Sequence, residues 1–122
     1  MIRHGFALIL IVAAPSALAQ RLAAEVDCKP TKHDLVYDCR IALKEAASGK
    51  PVSGADVSVG ADMPSMPMAH NVRPVRAQPG KVPGEYTARL ELEMFGEWAV
   101  RLNVRSPVRD LIVKKMNFRE PK

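Results

Sequence analysis

The feature that most constrains this chain is a period-two alternation of apolar and polar residues, broken at intervals by glycine and proline. Apolar side chains at alternate positions line one face of an extended strand, and the three-to-four-residue spacing of an amphipathic helix does not occur after the N-terminal segment. The clearest series are Leu35, Tyr37, Cys39, Ile41 and Leu43; Ala55, Val57 and Val59; Ala88, Leu90, Leu92 and Met94; and Trp98, Val100, Leu102 and Val104. Strands that are apolar on one face only are typical of antiparallel sheets with one face in water.

The turn signals between these series set the fold class. They divide the chain into short strands, the last of which runs from Arg109 to Phe118, and a chain of 122 residues supports one core. We therefore predict an all-β fold, an immunoglobulin-like antiparallel β-sandwich of six to seven short strands, with a small barrel as the alternative. Phe95-Gly96-Glu97 is expected to close a hairpin that places Met94 opposite Trp98.

The N-terminus has the layout of a secretory signal peptide. Basic residues precede an apolar run from Phe6 to Ala14, and Ala17-Leu18-Ala19 forms a small-residue cleavage site. The apolar run is too short for a stable transmembrane helix. We expect a signal peptide at residues 1–19, a single Ig-like β-sandwich domain at residues 20–122, and a periplasmic or secreted protein with no transmembrane segment after signal cleavage. An uncleaved N-terminal anchor is the alternative.

Cys28 and Cys39 are the only cysteines of the chain. A polar turn near His33-Asp34 folds the residues between them into a hairpin that places Cys28 opposite Cys39, with Val26 opposite Ile41 in the same register. This register supports a cross-strand disulfide, which persists in the oxidising compartments that exported proteins reach. A redox-active or metal-binding thiol pair is the alternative, but such motifs use a closer spacing.

Methionine is concentrated in one stretch, Asp62-Met63-Pro64-Ser65-Met66-Pro67-Met68-Ala69-His70. The prolines exclude a helix interior and favour an extended backbone, on which Met66, Met68 and His70 lie on one side. Thioether sulfur and imidazole suit Cu(I), whereas Zn, Mg and Ca gain little from methionine. One interpretation is therefore a soft-metal site. The other is an apolar plug, because adaptable methionines would equally well fill the end of a small sandwich.

Other function classes find little support. The formal net charge is only +5 and the charges are spread, without a basic stripe or a row of stacking aromatic residues, so nucleic-acid binding is not expected. There is no nucleophile with a recognisable partner, no paired carboxylate in an apolar setting and no glycine-rich phosphate loop. We therefore do not expect an enzyme. His33, in a polar turn, is expected to be a solvated side chain.

The order of several short motifs resembles the YtkA-like/FixH-like family of exported domains. These motifs are Gly49-Lys50-Pro51-Val52, Gly54-Ala55-Asp56-Val57, the stretch from Met63 to His70, Pro83-Gly84-Glu85-Tyr86 and Phe95-Gly96-Glu97-Trp98. The resemblance covers about residues 40 to 118 and leaves out the two cysteines. It implies an immunoglobulin-like sandwich at the cell envelope, found alone, with membrane anchors or alongside heavy-metal efflux components. FixH-like members are linked to copper handling and to assembly of a copper-containing oxidase, although this chain lacks their long transmembrane anchor.

The resemblance favours the soft-metal interpretation. The chain is then expected to be an exported copper-binding protein that handles or delivers Cu(I) through Met66, Met68 and His70, with Met63 as a fourth or replacement ligand. An indole face from Trp98 would add a cation–π contribution of about 0.5–2 kcal/mol, and a core tryptophan is the alternative. The implied partners are the copper ion and a membrane metalloenzyme or efflux complex. The alternative function is a non-metal interaction or assembly module for a cell-envelope complex.

Overall fold

Eight antiparallel strands form two four-stranded sheets in the computed structural model, which describes residue 11 and residues 21–66 and 70–121. The strands are β1 (Leu22–Pro30), β2 (Val36–Glu45), β3 (Asp56–Asp62), β4 (Asn71–Arg76), β5 (Gln78–Pro79), β6 (Glu85–Glu91), β7 (Gly96–Ser106) and β8 (Asp110–Phe118). The first sheet has the order β1-β2-β6-β5 and the second the order β4-β3-β7-β8. The predicted all-β, immunoglobulin-like sandwich is confirmed, with two-residue β5 as a strand beyond the predicted number.

The core lies between the two sheets and is built from the predicted alternate positions. Because successive side chains of a strand point to opposite faces, one apolar face of each sheet turns inward. The fully buried large side chains include Ile41, Leu43 and Leu90 of the first sheet and Val57, Val59, Trp98, Val100 and Leu102 of the second. Among the described residues no polar or charged residue is buried, which agrees with a sandwich whose two outer faces are in water.

The β1–β2 hairpin has the predicted register. Cys28 pairs with Cys39 and Val26 with Ile41, and the two cysteines form a disulfide with a Cα–Cα distance of 4.0 Å. Leu35 differs from the prediction, since it lies in the turn with a φ of 64° and β2 begins one residue later. The short loop, the apolar alternation and the disulfide all require the same pairing of β1 with β2. The register of this hairpin is therefore determined by residues that are close together in the chain.

The predicted hairpin between β6 and β7 is wrong. Strand β6 pairs with β2 and β5, whereas β7 pairs with β3 and β8, so residues 92–95 carry the chain from one sheet to the other. The Leu92 N–H donates to the Leu35 carbonyl at 2.8 Å, which keeps that residue on the first sheet. Met94, expected to face the core, is 36% exposed in the crossing. Apolar alternation looks the same in a hairpin and in a crossing, because both keep the same faces inward.

The loops of the sandwich collect at two ends. The methionine end carries residues 31–35, 63–66, 70 and 92–95, and the glycine end carries residues 46–55, 80–84 and 107–109. The described ranges contain no helix long and apolar enough to cross a membrane. Apart from residue 11, the predicted signal peptide lies outside the described residues.

Candidate functional site

Residues 63–66, the first half of the segment 63–70 (the methionine loop), form a turn, so the predicted extended backbone is wrong there. The Met66 N–H donates to the Met63 carbonyl at 3.0 Å, which closes a four-residue turn with Pro64 in its second position. Proline favours that position because its fixed φ matches the turn. The His70 N–H then donates to the Met66 carbonyl at 3.3 Å. The loop thus folds back on itself, and Met68, a predicted ligand, lies outside the described residues.

The structure separates the two described methionines of this loop. Met63 is 4% exposed and belongs to the core, whereas Met66 is 39% exposed. The Met63 methyl carbon lies 3.1 Å from the place where a Cβ on Gly96 would stand, so the absent side chain at Gly96 makes room for it. Met63 therefore fills the end of the sandwich, as the plug interpretation expected, while the thioether of Met66 faces solvent.

His70 contacts a carboxylate from the other loop of this end. Its Nδ1 lies 2.5 Å from Oε2 of Glu93, which is 23 residues further along the chain in the crossing between β6 and β7. In the tautomer that carries its proton on Nδ1, the ring donates to this carboxylate, and Nε2 is then the nitrogen that can bind a metal. Such a carboxylate fixes the ring orientation of metal-binding histidines. Sequence reasoning missed Glu93, because nothing in the pattern indicates that the two loops meet.

The same crossing holds Met94 above a buried tryptophan. The indole N–H of Trp98 donates to the Met94 carbonyl at 3.1 Å, and Trp98 itself is fully buried, opposite Met116 of β8. Trp98 thus occupies the position of a core tryptophan, the alternative to the cation–π expectation. The hydrogen bond fixes the backbone of the crossing and leaves the Met94 side chain at the surface.

The chemistry available at the methionine end is that of soft ligands. Across residues 21–66 and 70–121, no three His, Cys, Asp or Glu side chains form a group that could hold a metal ion. Among the side chains of this end is the thioether of Met66, a type of ligand that suits Cu(I) better than Zn, Mg or Ca. His33 lies in the turn of residues 31–35 at the same end and is exposed, in agreement with a solvated side chain.

Comparison with known proteins identifies one family. A family model described as YtkA-like matches residues 24–103, which include both cysteines, the methionine loop and the crossing with Glu93. The match begins earlier than the motifs of the sequence indicated, so the disulfide hairpin is part of the matched segment. Neither the curated proteins nor the solved structures contain a match to this chain.

Proposed function

The chain belongs to the YtkA-like family, and on that premise we propose that it is an exported protein that binds Cu(I) at the methionine end and passes it to a partner in the cell envelope. The observation that carries the proposal is the geometry of His70. Its Nδ1 is held by Glu93, its Nε2 is left for a metal, and its backbone is hydrogen-bonded to Met66, whose thioether is exposed.

The proposed ligands are Met66, Met68 and His70. Met63 suits the role least of the four predicted residues, because its side chain is buried against the core. Thioethers need no deprotonation to bind a metal, whereas the imidazole must be neutral, so acid weakens only one of the three bonds. The exposed, unbranched side chain of Met66 also suits a site that releases its ion to another protein.

The compartment supports the same proposal. Disulfides persist in the periplasm and outside the cell but are rare in reducing compartments, and Cys28 and Cys39 are joined. The proposed localisation is therefore periplasmic or secreted, with a membrane metalloenzyme or an efflux complex as the partner that receives the ion.

A competition titration tests the metal proposal. Residues 20–122 are titrated with Cu(I) against a chelator of known affinity, alongside the triple variant Met66→Ala/Met68→Ala/His70→Ala. We expect wild-type binding and at least a tenfold loss in the triple variant. Met63→Leu is the matched control, since it keeps the packing volume and removes only sulfur, and it should bind as the wild type does. Absence of wild-type binding, or equal binding by the triple variant, contradicts the proposal.

The contact between Glu93 and His70 gives a second test. Glu93→Gln keeps the size of the side chain but removes the charged acceptor, so Cu(I) affinity is expected to fall about tenfold or more. Glu97→Gln, an exposed glutamate at the start of β7, is the control and should change nothing. Equal affinity in both variants would show that Glu93 does not orient the histidine for a metal.

A second candidate function is an assembly module that holds no metal. The burial of Met63 favours it, because that side chain already acts as a plug at the end of the core. Co-purification from solubilised membranes separates the two functions. A stoichiometric partner that stays bound in chelator, and that also binds the triple variant, would favour the module.

A further inference from the structure

The outer face of the second sheet carries a groove with a volume of about 400 Å³. Gly60, in the middle of β3, forms its floor, with Pro74 of β4 on one side and Arg101 and Leu111 of β7 and β8 on the other. A Cβ on Gly60 would meet its nearest neighbours, Val72 O and Pro74, at 3.4–3.7 Å, which is ordinary contact, and its φ lies outside the left-handed region. The fold itself therefore does not require glycine there, and a larger side chain at this position would occupy part of the groove.

Apolar side chains lie beside this groove at outward positions. Leu111 and Val113 of β8 are 43% and 42% exposed, next to inward-facing Ile112. By contrast, none of the large apolar side chains exposed in the described part of the chain lies on the outer face of the first sheet. The second sheet thus presents apolar surface to solvent where the first sheet presents polar side chains.

Positive charge is concentrated on the same face. Its outward cations include Arg73, Arg101, Arg105 and Lys115. A fifth outward cation is Arg76, and the face has three anions, of which Asp62 lies 3.4 Å from Arg101, Asp56 lies 3.8 Å from Arg76, and Glu97 is at the start of β7. On the outer face of the first sheet there are four cations, Lys29, Arg40, Lys44 and Arg89, and five anions, Glu25, Asp27, Asp38, Glu85 and Glu91. The outer face of the second sheet therefore has two more cations than anions, whereas the outer face of the first sheet has one more anion than cations.

The edges of the second sheet are poorly suited to adding another strand. In β8, Lys114 occupies an inward position opposite the fully buried Val100, and inward-pointing charges on an edge strand oppose pairing. In β4, Pro74 lacks an N–H, and the pairing with β3 shifts between Val59 and Ala61. A partner would therefore contact the face of this sheet through side chains instead of extending it.

The geometry points to this face as a docking surface for an extended acidic segment of a partner protein. Carboxylates of the segment meet Arg73 and the neighbouring arginines, and one apolar side chain lies over Gly60 between Pro74 and Leu111. Four strands at a spacing of ~4.8 Å and about seven residues in length cover only about 400 Å². That area is about half of what a stable interface buries on each partner, so the docking is weak and transient. It involves none of the proposed copper ligands.

A chemical-shift titration tests the docking surface. Nitrogen-15-labelled protein (residues 20–122) is titrated with a synthetic eight-residue peptide of alternating aspartate and leucine. We expect chemical-shift changes in fast exchange, centred on the amides of Gly60, Arg101 and Asn103. These changes should become smaller as the salt concentration is raised. Arg73→Glu should reduce the affinity at least fivefold. Arg40→Glu, the same change at an exposed strand position of the first sheet, should leave it within twofold.

A groove-filling variant adds an independent readout. Gly60→Val, checked for folding by its thermal melt and its unperturbed core resonances, should lose peptide binding while Cu(I) binding stays as in the wild type. If it does not fold, Leu111→Thr takes its place with the same expectation. The proposal is overturned if millimolar peptide causes no shifts on this face, if Arg40→Glu is as harmful as Arg73→Glu, or if peptide binding survives in the folded groove variant. Binding to phosphatidylglycerol vesicles in place of the peptide would also overturn it, in favour of a membrane surface.

Discussion

The two ends of the sandwich are held by different kinds of interaction. At the glycine end, the Tyr86 hydroxyl donates to the Val52 carbonyl at 2.7 Å and accepts from the Ala55 N–H at 2.9 Å. One side chain thus binds the backbone of the loop of residues 46–55 at two positions. At the methionine end, the loop rests on buried Met63 and on the half-exposed contact of His70 with Glu93. At the glycine end a side-chain hydroxyl thus binds two backbone groups, whereas at the methionine end the contacts between side chains are a buried thioether in the core and a half-exposed histidine–glutamate pair.

The largest expected loss of stability comes from a test that compares one glycine from each end. Gly84 has a φ of 81°, and a Cβ there would lie 2.8 Å from the Cβ of Pro51 and 2.9 Å from the backbone oxygen of Leu43. Left-handed strain and overpacking together predict a loss of about 4 kcal/mol for Gly84→Ala. At Gly96 the obstacle is only the Met63 methyl group, which can move, so Gly96→Ala should cost about 2 kcal/mol. Urea unfolding measures both, and equal losses would contradict the comparison.

The disulfide tests whether the methionine end needs a covalent constraint. The Cys28→Ala/Cys39→Ala variant is expected to lose about 3 kcal/mol of stability, because the cross-link no longer restricts the unfolded chain. Cu(I) affinity should be unchanged, since neither cysteine is a proposed ligand. Urea unfolding and the chelator competition provide the two measurements. A matching loss of copper affinity in the folded variant would show that the hairpin positions the methionine loop.

The hydroxyl of Tyr86 gives an effect of intermediate size. Tyr86→Phe leaves the Val52 carbonyl and the Ala55 N–H without their partner, which predicts a loss of about 2 kcal/mol. Tyr37→Phe is the matched control at the methionine end. Tyr37 is buried and its ring meets Phe118 edge-on at 4.7 Å, but its hydroxyl makes no hydrogen bond to another described residue, so the change should cost under ~0.5 kcal/mol. Similar losses would mean that the two ends are held alike.

The smallest expected effect comes from the exposed pair of Arg89 and Asp38, which shows how much an ordinary surface contact contributes to stability. The hydrogen bond from Arg89 lowers the pKa of Asp38, and both side chains are exposed on the first sheet. A lowered pKa stabilises the fold above the pKa of the unfolded state, about 3.9, and the gain disappears as the pH falls through the folded pKa. Asp38→Asn should lower the Tm by about 1 °C at pH 6 and by less at pH 2. If Glu93→Gln lowers the Tm at pH 6 by more than Asp38→Asn does, the contact of Glu93 with His70 contributes more stability than an ordinary surface pair.

Local pattern was enough to predict much of the fold. The inward faces of β2, β3 and β7 follow from alternation alone, since one side of each strand must be apolar to form a core. The pairing of Cys28 with Cys39 follows because a short turn and two cysteines allow only one register. Each of these features depends on residues that are close together in the chain.

The errors concern features that depend on distant residues. The apolar alternation predicts a hairpin where the structure has a crossing between β6 and β7, because the hydrogen bond of Leu92 to Leu35 has no signal in its own segment. The prolines predict an extended strand where the structure has a turn at Met63, because proline is compatible with both. For the same reason Glu93 was missed as the partner of His70, since only the packed sandwich brings their loops together.

The crossing at residues 92–95 also has a consequence for how the chain assembles during synthesis. All four strands of the first sheet precede it, so that sheet can complete its pairing before β7 exists. The second sheet cannot, because its inner strand β3 has only the short edge strand β4 beside it until β7 is made. Until then Val57 and Val59 lack the neighbours that bury them in the finished protein. A partly synthesised chain therefore exposes an incomplete, apolar sheet that is prone to aggregation. The last quarter of the chain, which forms β7 and β8, thus completes the second sheet and buries the apolar side chains of β3.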